Sequence, residues 1–199
     1  MSVRKQHTEF NTFYYYTFTC YRWISLFELT NFYDYIYRCF NILKSKNILT
    51  CGYVIMPNHL HSIVFTKNDN QMINNIIGET KRFMAYELIS RLKKQGNSEI
   101  LNYLEMTVYK SDSKKKKLHN VFEPSADIKE ILTEKFMRQK LNYIHKNPVS
   151  GKWNLVDEYV NYIHSSAGFY ELGRKGVYDV IHYEQVMNAF AESSAQGLF

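Results

Sequence analysis

The sequence contains only three cysteines, and no two of them form a Cys-x-x-Cys pair. An odd, widely spaced set of this kind indicates neither a disulfide framework nor a zinc knuckle, and it fits a reducing compartment. No hydrophobic run approaches the roughly 18 residues of a membrane span. The basic N-terminus is followed by a segment too polar for the core of a signal peptide. We therefore expect a soluble, cytoplasmic protein with no membrane partner.

Proline and glycine are also scarce, at 3 and 8 residues, whereas the chain has 17 tyrosines and 13 phenylalanines. Aromatic side chains can fill a core or stack on unpaired bases, and an aromatic content of 16% makes core filling the default. A length of 199 residues suits one ordinary domain. We expect that domain to span residues 1–150, with residues 151–199 as a C-terminal extension that packs on it.

Positive charge exceeds negative charge by six, from 25 Lys and Arg against 19 Asp and Glu. Such a balance favours an anionic partner such as nucleic acid. Many basic proteins without a nucleic-acid partner share it, so the charge does not decide the function by itself.

The first half of the chain alternates between strand and helix patterns. Residues 12–22 are dense in Thr, Tyr and Phe, which favours a strand, and residues 29–46 have apolar positions at the spacing of an amphipathic helix. Two β-rich runs, 48–56 and 59–67, are separated by Pro-Asn, which predicts neighbouring strands joined by a tight turn. Residues 71–94 return to helical periodicity.

In the second half, residues 96–117 have weak periodicity and a lysine tract, which indicates a solvated loop. Residues 119–131 supply the remaining strand, where Pro124 argues for an edge or a bulge. Thr133 can cap a further helix that ends at Pro148. The order β-α-β-β-α-β predicts an α+β protein with the ferredoxin-like split arrangement and an antiparallel sheet. One added helix, which carries Tyr143, follows this arrangement.

Two histidines are candidates for a metal site. His59 and His61 lie two apart in a predicted strand, so both imidazoles project from one face and can hold one ion between them. A bare His-x-His in a strand usually has a structural or surface role. Here the pair follows Met-Pro-Asn at the beginning of a strand, which makes a functional role more plausible.

Tyr143 and Asn147 lie four apart on the predicted last helix, which places them on one face about a turn apart. A tyrosine hydroxyl has a free pKa near 10 and is a poor nucleophile, so it needs a nearby cation or base and a polarised electrophile. A divalent metal beside a phosphate meets that need. Without a neighbouring motif, any one of 17 tyrosines is most often structural.

Together, MPNHLHSIVF at 56–65 and LNYIHKNPV at 141–149 resemble the REP-associated tyrosine transposases and their insertion-sequence relatives, which are single-tyrosine HUH transposases. The family has a His-hydrophobic-His strand and a tyrosine in a Y-I-x-x-N-P segment. YIHSSAGFY at 162–170 resembles the Ser-Ser segment that follows the tyrosine helix. The resemblance covers roughly residues 10–170.

The resemblance implies an HUH fold in which His59, His61 and Asn147 bind Mg²⁺ or Mn²⁺, although insertion-sequence relatives often carry Gln at the third position. It implies that Tyr143 attacks a scissile phosphate, which leaves a 5′-phosphotyrosine and a free 3′-hydroxyl. The substrate would be single-stranded DNA with hairpin or palindromic ends. His145 is expected to be structural or to face DNA rather than to act as the base.

Eight basic side chains are candidates for contacts with DNA phosphates, although an ordinary solvated role is at least as common for each of them. These candidates are Lys81, Arg82, Lys114, Lys115, Lys116, Lys117, Lys140 and Lys146.

Other functions stay open at this point. A domesticated or inactive relative would bind hairpin DNA without strand transfer, and an HUH-type nicking nuclease or metal phosphoesterase would use the same histidines. A structural protein could carry the His-x-His pair by coincidence. A monomer and a homodimer are both compatible with the sequence, because in dimeric relatives the tyrosine helix can serve the partner's histidines.

Overall fold

The computed structural model describes residues 6–67, 72–108, 117–124 and 126–195. Within them lies one four-stranded sheet with the spatial order β2-β3-β1-β4, and every neighbouring pair is antiparallel. This order confirms the predicted ferredoxin-like split arrangement. The strands are β1 (Thr12–Thr19), β2 (Ile48–Ile55), β3 (His59–Thr66) and β4 (Asp127–Ile131).

Helices cover both faces of the sheet, and three short 3₁₀ turns connect or extend them. The helices are α1 (Leu26–Leu29), α2 (Tyr33–Ser45), α3 (Ile73–Lys94), α4 (Ser98–Met106), α5 (Glu134–Lys146), α6 (Ala167–Leu172) and α7 (Tyr183–Ala195). The 3₁₀ turns are Tyr21–Trp23, Asn147–Val149 and Tyr159–Asn161. No helix among the described residues combines the length and apolar character needed to cross a membrane.

The alternation of side chains along β1 divides the core into two layers. Tyr14, Tyr16 and Phe18 belong to the layer formed with α2 and α3. Phe13 and Tyr15 point the other way and belong to the layer formed with α5 and α7. We call this second side of the sheet the α5 face. Both layers are rich in buried aromatic rings, as the composition predicts.

Several predicted strands and helices are longer than the observed ones. The first strand ends at Thr19 rather than at residue 22, because the chain turns into the Tyr21–Trp23 3₁₀ turn. The helix predicted from residue 29 begins at Tyr33. The strand predicted over 119–131 is confined to Asp127–Ile131. In the first part of that range, the described residues form one isolated bridge, between Phe122 and Cys20.

The prediction of a loop over 96–117 is wrong for its first part. Asn97 caps α4 by accepting a hydrogen bond from the backbone N–H of Ile100, and Leu104 is fully buried. A helix of nine residues with one buried anchor is too short to show clear periodicity. Lys114, Lys115 and Lys116 of the lysine tract lie outside the described residues.

Helix α5 carries Tyr143 and rests on β2. Thr133 caps it as predicted, by accepting a hydrogen bond from the N–H of Phe136. The approach is close at Gly52, where β2 has a register shift. A Cβ at this glycine would lie 2.8 Å from Cδ2 of Leu141 and 3.4 Å from Cδ1 of Ile144. The absence of a side chain therefore sets how near the tyrosine helix sits to the sheet.

The segment after α5 returns along the outer edge of β2. The backbone N–H of Ile55 donates to the carbonyl of His164, and the N–H of Ser166 donates to the carbonyl of Tyr53. The hydroxyl of Tyr162 donates to the carbonyl of Ile55. These contacts satisfy part of the edge strand, which would otherwise expose unpaired backbone groups. The division into residues 1–150 and 151–199 stays a prediction.

Candidate active site

A cleft of about 350 Å³ opens on the α5 face, where the beginning of β3 meets the end of β1. The strand register creates it, because His61 lies opposite Thr17 and His59 lies opposite Thr19. Its lining residues are Tyr15, Thr17, Thr19, Trp23, His59, His61, Asp127, Lys129, Lys140 and Tyr143. Two larger surface cavities, of about 460 and 600 Å³, contain neither the histidine pair nor Tyr143.

His59 is held by its neighbour in the chain. Its Nδ1 lies 2.6 Å from Oδ1 of Asn58, whose Nδ2 donates to the carbonyl of Trp23 at 2.7 Å. That second bond fixes which end of the amide faces the histidine, so the imidazole donates its Nδ1 proton to the amide oxygen. In the neutral ring, Nε2 then carries a lone pair directed into the cleft.

His61 is held from across the sheet. Its Nδ1 lies 2.8 Å from the hydroxyl of Tyr15, and the two rings stack with centroids 5.8 Å apart. Tyr15 and His61 are diagonal neighbours on β1 and β3, within reach of a long aromatic side chain. The other ring nitrogen, Nε2, faces the cleft at 3.4 Å from Nδ2 of Asn147.

Asn147 brings the third polar group to the histidines from the end of α5. It begins the Asn147–Val149 3₁₀ turn, in which Pro148 is buried. Its Oδ1 lies 3.2 Å from Nε2 of His59. Because that nitrogen presents a lone pair, two acceptors face each other, and a cation between them would remove the conflict.

The donor set therefore fits a divalent ion. It consists of two imidazole nitrogens and one amide oxygen, and each imidazole is oriented through its other nitrogen, as is usual for metal-binding histidines. In the described parts of the chain, no group of three His, Cys, Asp or Glu side chains could hold a metal. The fit at this cleft thus depends on the amide of Asn147.

Burial keeps both imidazoles neutral near pH 7. It lowers the pKa of His59 to about 4, with a smaller contribution in the same direction from the charge of Lys152, while the nearby amide oxygen of Asn147, which would accept a hydrogen bond from the protonated ring, opposes the shift. Burial also holds the pKa of His61 well below its ordinary value, and repulsion from His59 once that ring is protonated and from the charge of Lys140 adds to this. Neutral rings keep the lone pairs that a metal ion requires.

Tyr143 stands beside the histidines with its side chain 51% exposed. Its ring centroid lies 5.3 Å from that of His61, at an interplanar angle of 74°. The Nζ of Lys140, three residues earlier on the same helix, lies 5.6 Å from the Tyr143 ring and 4.2 Å from the Tyr15 ring. An exposed tyrosine, an ammonium group and two neutral imidazoles therefore share one open cleft.

The basic residues predicted to contact DNA are divided between the two sides of the sheet. Lys140 lies in the cleft, and Lys146 is exposed on the same helix. Lys81 and Arg82 belong to α3 on the opposite side, where they line a groove that also includes Lys117. The Nζ of Lys81 donates to the carbonyl of Glu123 at 2.9 Å, so this lysine also has a structural contact.

His145 occupies a structural position. It is buried, and its Nε2 lies 2.9 Å from the hydroxyl of Ser166, which accepts a hydrogen bond from the N–H of Tyr53. Burial lowers its pKa to about 4. The Ser-Ser segment therefore joins the tyrosine helix to β2 through one hydroxyl.

Three residues that contact the histidine pair, Asn58, Tyr15 and Trp23, were not predicted from the sequence. Asn58 precedes His59 directly, so its place in the motif was a usable signal. Tyr15 shares the odd-numbered positions of β1 with residues of the α5 face, but nothing local singles it out among the tyrosines. Trp23 reaches the cleft only through the turn after β1.

The fold matches that of a solved transposase. No protein-family model and no curated protein matches the chain. The structure of a REP-associated tyrosine transposase bound to a REP hairpin aligns with a TM-score of 0.59 and 16% identity over 87% of each chain. A candidate transposase from Deinococcus radiodurans R1 aligns with a TM-score of 0.42 and 13% identity, over 72% of this chain and 96% of its own. The chain thus has the fold of this REP-associated tyrosine transposase.

Proposed function

We propose that this protein is a metal-dependent transposase that cleaves and rejoins single-stranded DNA through Tyr143. One observation carries the proposal: the exposed Tyr143 ring lies 5.3 Å from His61, within the cleft where both histidines meet Asn147. The similarity of fold to a tyrosine transposase supports it. An identity of 16% is too low to transfer an activity, so the proposal rests on the geometry of the cleft.

His59, His61 and Asn147 are the residues that would hold Mg²⁺ or Mn²⁺. When bound, the ion would polarise the scissile phosphate and offset the charge that develops on it. Two imidazoles and one oxygen suit Mn²⁺ at least as well as Mg²⁺.

In the proposed reaction, the hydroxyl oxygen of Tyr143 attacks the scissile phosphorus and loses its proton. The bond from phosphorus to the 3′-oxygen breaks, and that oxygen takes up a proton to become a free 3′-hydroxyl. The DNA 5′-phosphate stays joined to the tyrosine. A later attack by a 3′-hydroxyl reverses the step, so neither a hydrolytic water nor a nucleotide cofactor is needed.

Lys140 contributes electrostatically to this chemistry. Its ammonium group lies above the ring of Tyr15 and faces the same cleft as Tyr143. Burial and the charge of Lys129 lower its pKa, while Asp127 opposes that shift. A cation at this position attracts the phosphodiester and offsets the negative charge that develops during the attack.

The proposed substrate is DNA with a hairpin and an adjoining single strand. The structural neighbour is bound to a REP hairpin, and an excess of six positive charges suits a DNA partner. Because Tyr143 meets the histidines of its own chain, the cleft contains every proposed group within one protomer. This arrangement favours a site that works in cis.

The test is to incubate the protein with single-stranded hairpin oligonucleotides and Mn²⁺ or Mg²⁺, and to score a protein–DNA adduct that survives denaturation. Tyr143→Phe should abolish the adduct because the attacking oxygen is absent. His59→Ala or removal of divalent ions with EDTA should reduce it by at least about 100-fold. Tyr103→Phe, at an exposed tyrosine on α4, is the matched control and should leave the adduct unchanged.

Two other outcomes would favour the alternatives. Tight hairpin binding without an adduct, across several sequences, would indicate a relative that only binds DNA. A free 5′-phosphate without an adduct would indicate a hydrolytic nicking nuclease. An adduct that persists in Tyr143→Phe would show that another residue is the nucleophile.

A further inference from the structure

Trp23 is an exposed aromatic residue at the mouth of the cleft. Its side chain is 56% exposed, and its ring centroid lies 5.7 Å from that of His59 at an interplanar angle of 69°. Tryptophan is a large, largely apolar side chain that folded proteins normally bury in good part. Here a broad aromatic face stays in solvent beside the proposed metal ligands.

The backbone beneath this ring adopts an uncommon conformation. Arg22 has a φ of 52° and Trp23 a φ of 61°, so two successive residues with side chains occupy the left-handed region. Such conformations are costly for bulky residues, and they persist only where surrounding contacts enforce them. They cluster at functional sites, and the large side chain that this turn exposes is Trp23.

Three hydrogen bonds enforce the turn. The N–H of Trp23 donates to the carbonyl of Cys20 at 3.0 Å, and the N–H of Arg22 donates to a carboxylate oxygen of Glu123 at 2.8 Å. The carbonyl of Trp23 accepts from Nδ2 of Asn58 at 2.7 Å. The aromatic ring therefore sits on a fixed support rather than on a free loop.

Asn58 connects this support to the proposed metal site. Its side chain is almost fully buried, and its two ends bond to Trp23 and to His59. A single amide thus sets the position of the exposed ring relative to the imidazole. Trp153 also lies near His59, at 6.0 Å between centroids, but it is half-buried against the α5-face core.

We propose that Trp23 is a stacking platform for the base next to the scissile phosphate, held in register with His59 by Asn58. This inference rests on the proposed function and adds a substrate-positioning residue to it. Aromatic rings stack on unpaired bases of any sequence, because every base has a π-face. A stacked base would fix the adjoining phosphodiester over the cleft that contains Tyr143.

The test uses tryptophan fluorescence, because the chain has only two tryptophans. In a Trp153→Phe background, emission comes from Trp23 alone. The probe is a hairpin oligonucleotide with a thymidine tail of about ten nucleotides on each side, a length within the usual site size for single strands. Binding is followed independently by fluorescence anisotropy of a dye on the hairpin loop.

We expect saturating DNA to quench most of the Trp23 emission. Trp23→Ala should weaken binding by about tenfold, and Trp23→Phe should recover part of the loss because it keeps a ring. Tyr103→Ala, at an exposed aromatic on α4 that lines none of the described cavities, is the matched control and should bind as the parent does. Circular dichroism should show that each variant is folded.

A positional readout separates stacking from a purely structural role. Replacing thymidines one at a time by abasic sites should weaken binding of the parent at one position of the tail, and the same replacement should have no effect on Trp23→Ala. Three outcomes would each overturn the proposal that Trp23 is a stacking platform. They are unchanged Trp23 emission at saturation, a Trp23→Ala affinity equal to that of the parent, and no binding of the probe at all. Formation of the Tyr143 adduct is scored separately, so an adduct without quenching refutes only the platform, and quenching without an adduct refutes only the transesterification.

Discussion

At the scale of single residues, the cleft is organised by side chains that do not themselves take part in the proposed reaction. Asn58 and Tyr15 each occupy the Nδ1 side of one histidine, which leaves both Nε2 atoms directed toward Asn147. Such supporting contacts fix the tautomer and the orientation of metal-binding imidazoles. The proposed metal affinity therefore depends on neutral groups as well as on the ligands.

The contribution of Tyr15 can be measured through metal binding. Tyr15→Phe keeps the ring packed but removes the oxygen that faces His61, so Mn²⁺ affinity should fall by about 10- to 100-fold. Isothermal titration with Mn²⁺ measures the change, with Tyr103→Phe on α4 as the control. Equal Mn²⁺ affinity in Tyr15→Phe and the parent would mean that this hydroxyl does not orient the histidine.

At the scale of secondary-structure elements, the placement of α5 on β2 decides where Tyr143 stands. The helix contributes Met137, Leu141 and Ile144 to the α5-face core and leaves Tyr143 in solvent. Its contact with the sheet is closest at Gly52. A change in that contact would move the proposed nucleophile relative to the histidines, although it touches neither.

Gly52→Ala tests this dependence. The added methyl group would meet Leu141 at 2.8 Å, so the helix or its side chains must shift, and the free energy of unfolding should fall by about 1–3 kcal/mol. Adduct formation should fall with it. Gly78→Ala on α3 is the control, because nothing lies within 4 Å of the new Cβ and alanine suits a helix interior better. Urea denaturation of both variants measures the difference, and equal destabilisation would contradict the close-contact argument.

At the scale of the whole molecule, the segment 162–166 closes the outer edge of the sheet and also contacts α2. The ring of His164 stacks on Tyr33 with centroids 3.7 Å apart, and its Nδ1 shares a hydrogen bond of 2.9 Å with the hydroxyl of Tyr37. Burial lowers the pKa of His164 to about 4. The neutral imidazole of His164 therefore helps to join the segment 162–166 to α2.

This contact should make stability depend on pH. The unfolded chain takes up a proton at His164 near pH 6.5, whereas the folded chain resists it until about pH 4, so stability is lost as the pH falls through that window. His59, His61 and His145 act in the same direction, since burial lowers their pKa values too. His164→Phe keeps a stacking ring without a titrating group, so it should show a smaller loss of urea midpoint between pH 7 and pH 5 than the parent. Identical losses would show that the pKa of His164 is the same in the folded and the unfolded chain.

Much of the fold was accessible from the sequence because its signals are local. β-rich composition predicted the four strands of the described sheet, apolar residues at helical spacing predicted α2 and α3, and Thr133 and Pro148 marked the two ends of α5. Helix α4 was missed because one buried residue, Leu104, gives no period to detect. The predicted boundaries were also wrong where contacts with distant parts of the chain hold a turn, as at Tyr21–Trp23.

The sequence by itself determined which residues share a face, since His59 with His61 and Tyr143 with Asn147 follow from the repeat of a strand and of a helix. Only the tertiary structure decided that these two pairs meet and that Tyr15, Asn58 and Trp23 surround them. The physical reason is that sequence spacing encodes directions within one element. Distances between elements depend on strand register, on how closely α5 approaches Gly52, and on a turn whose conformation is enforced by residues far along the chain.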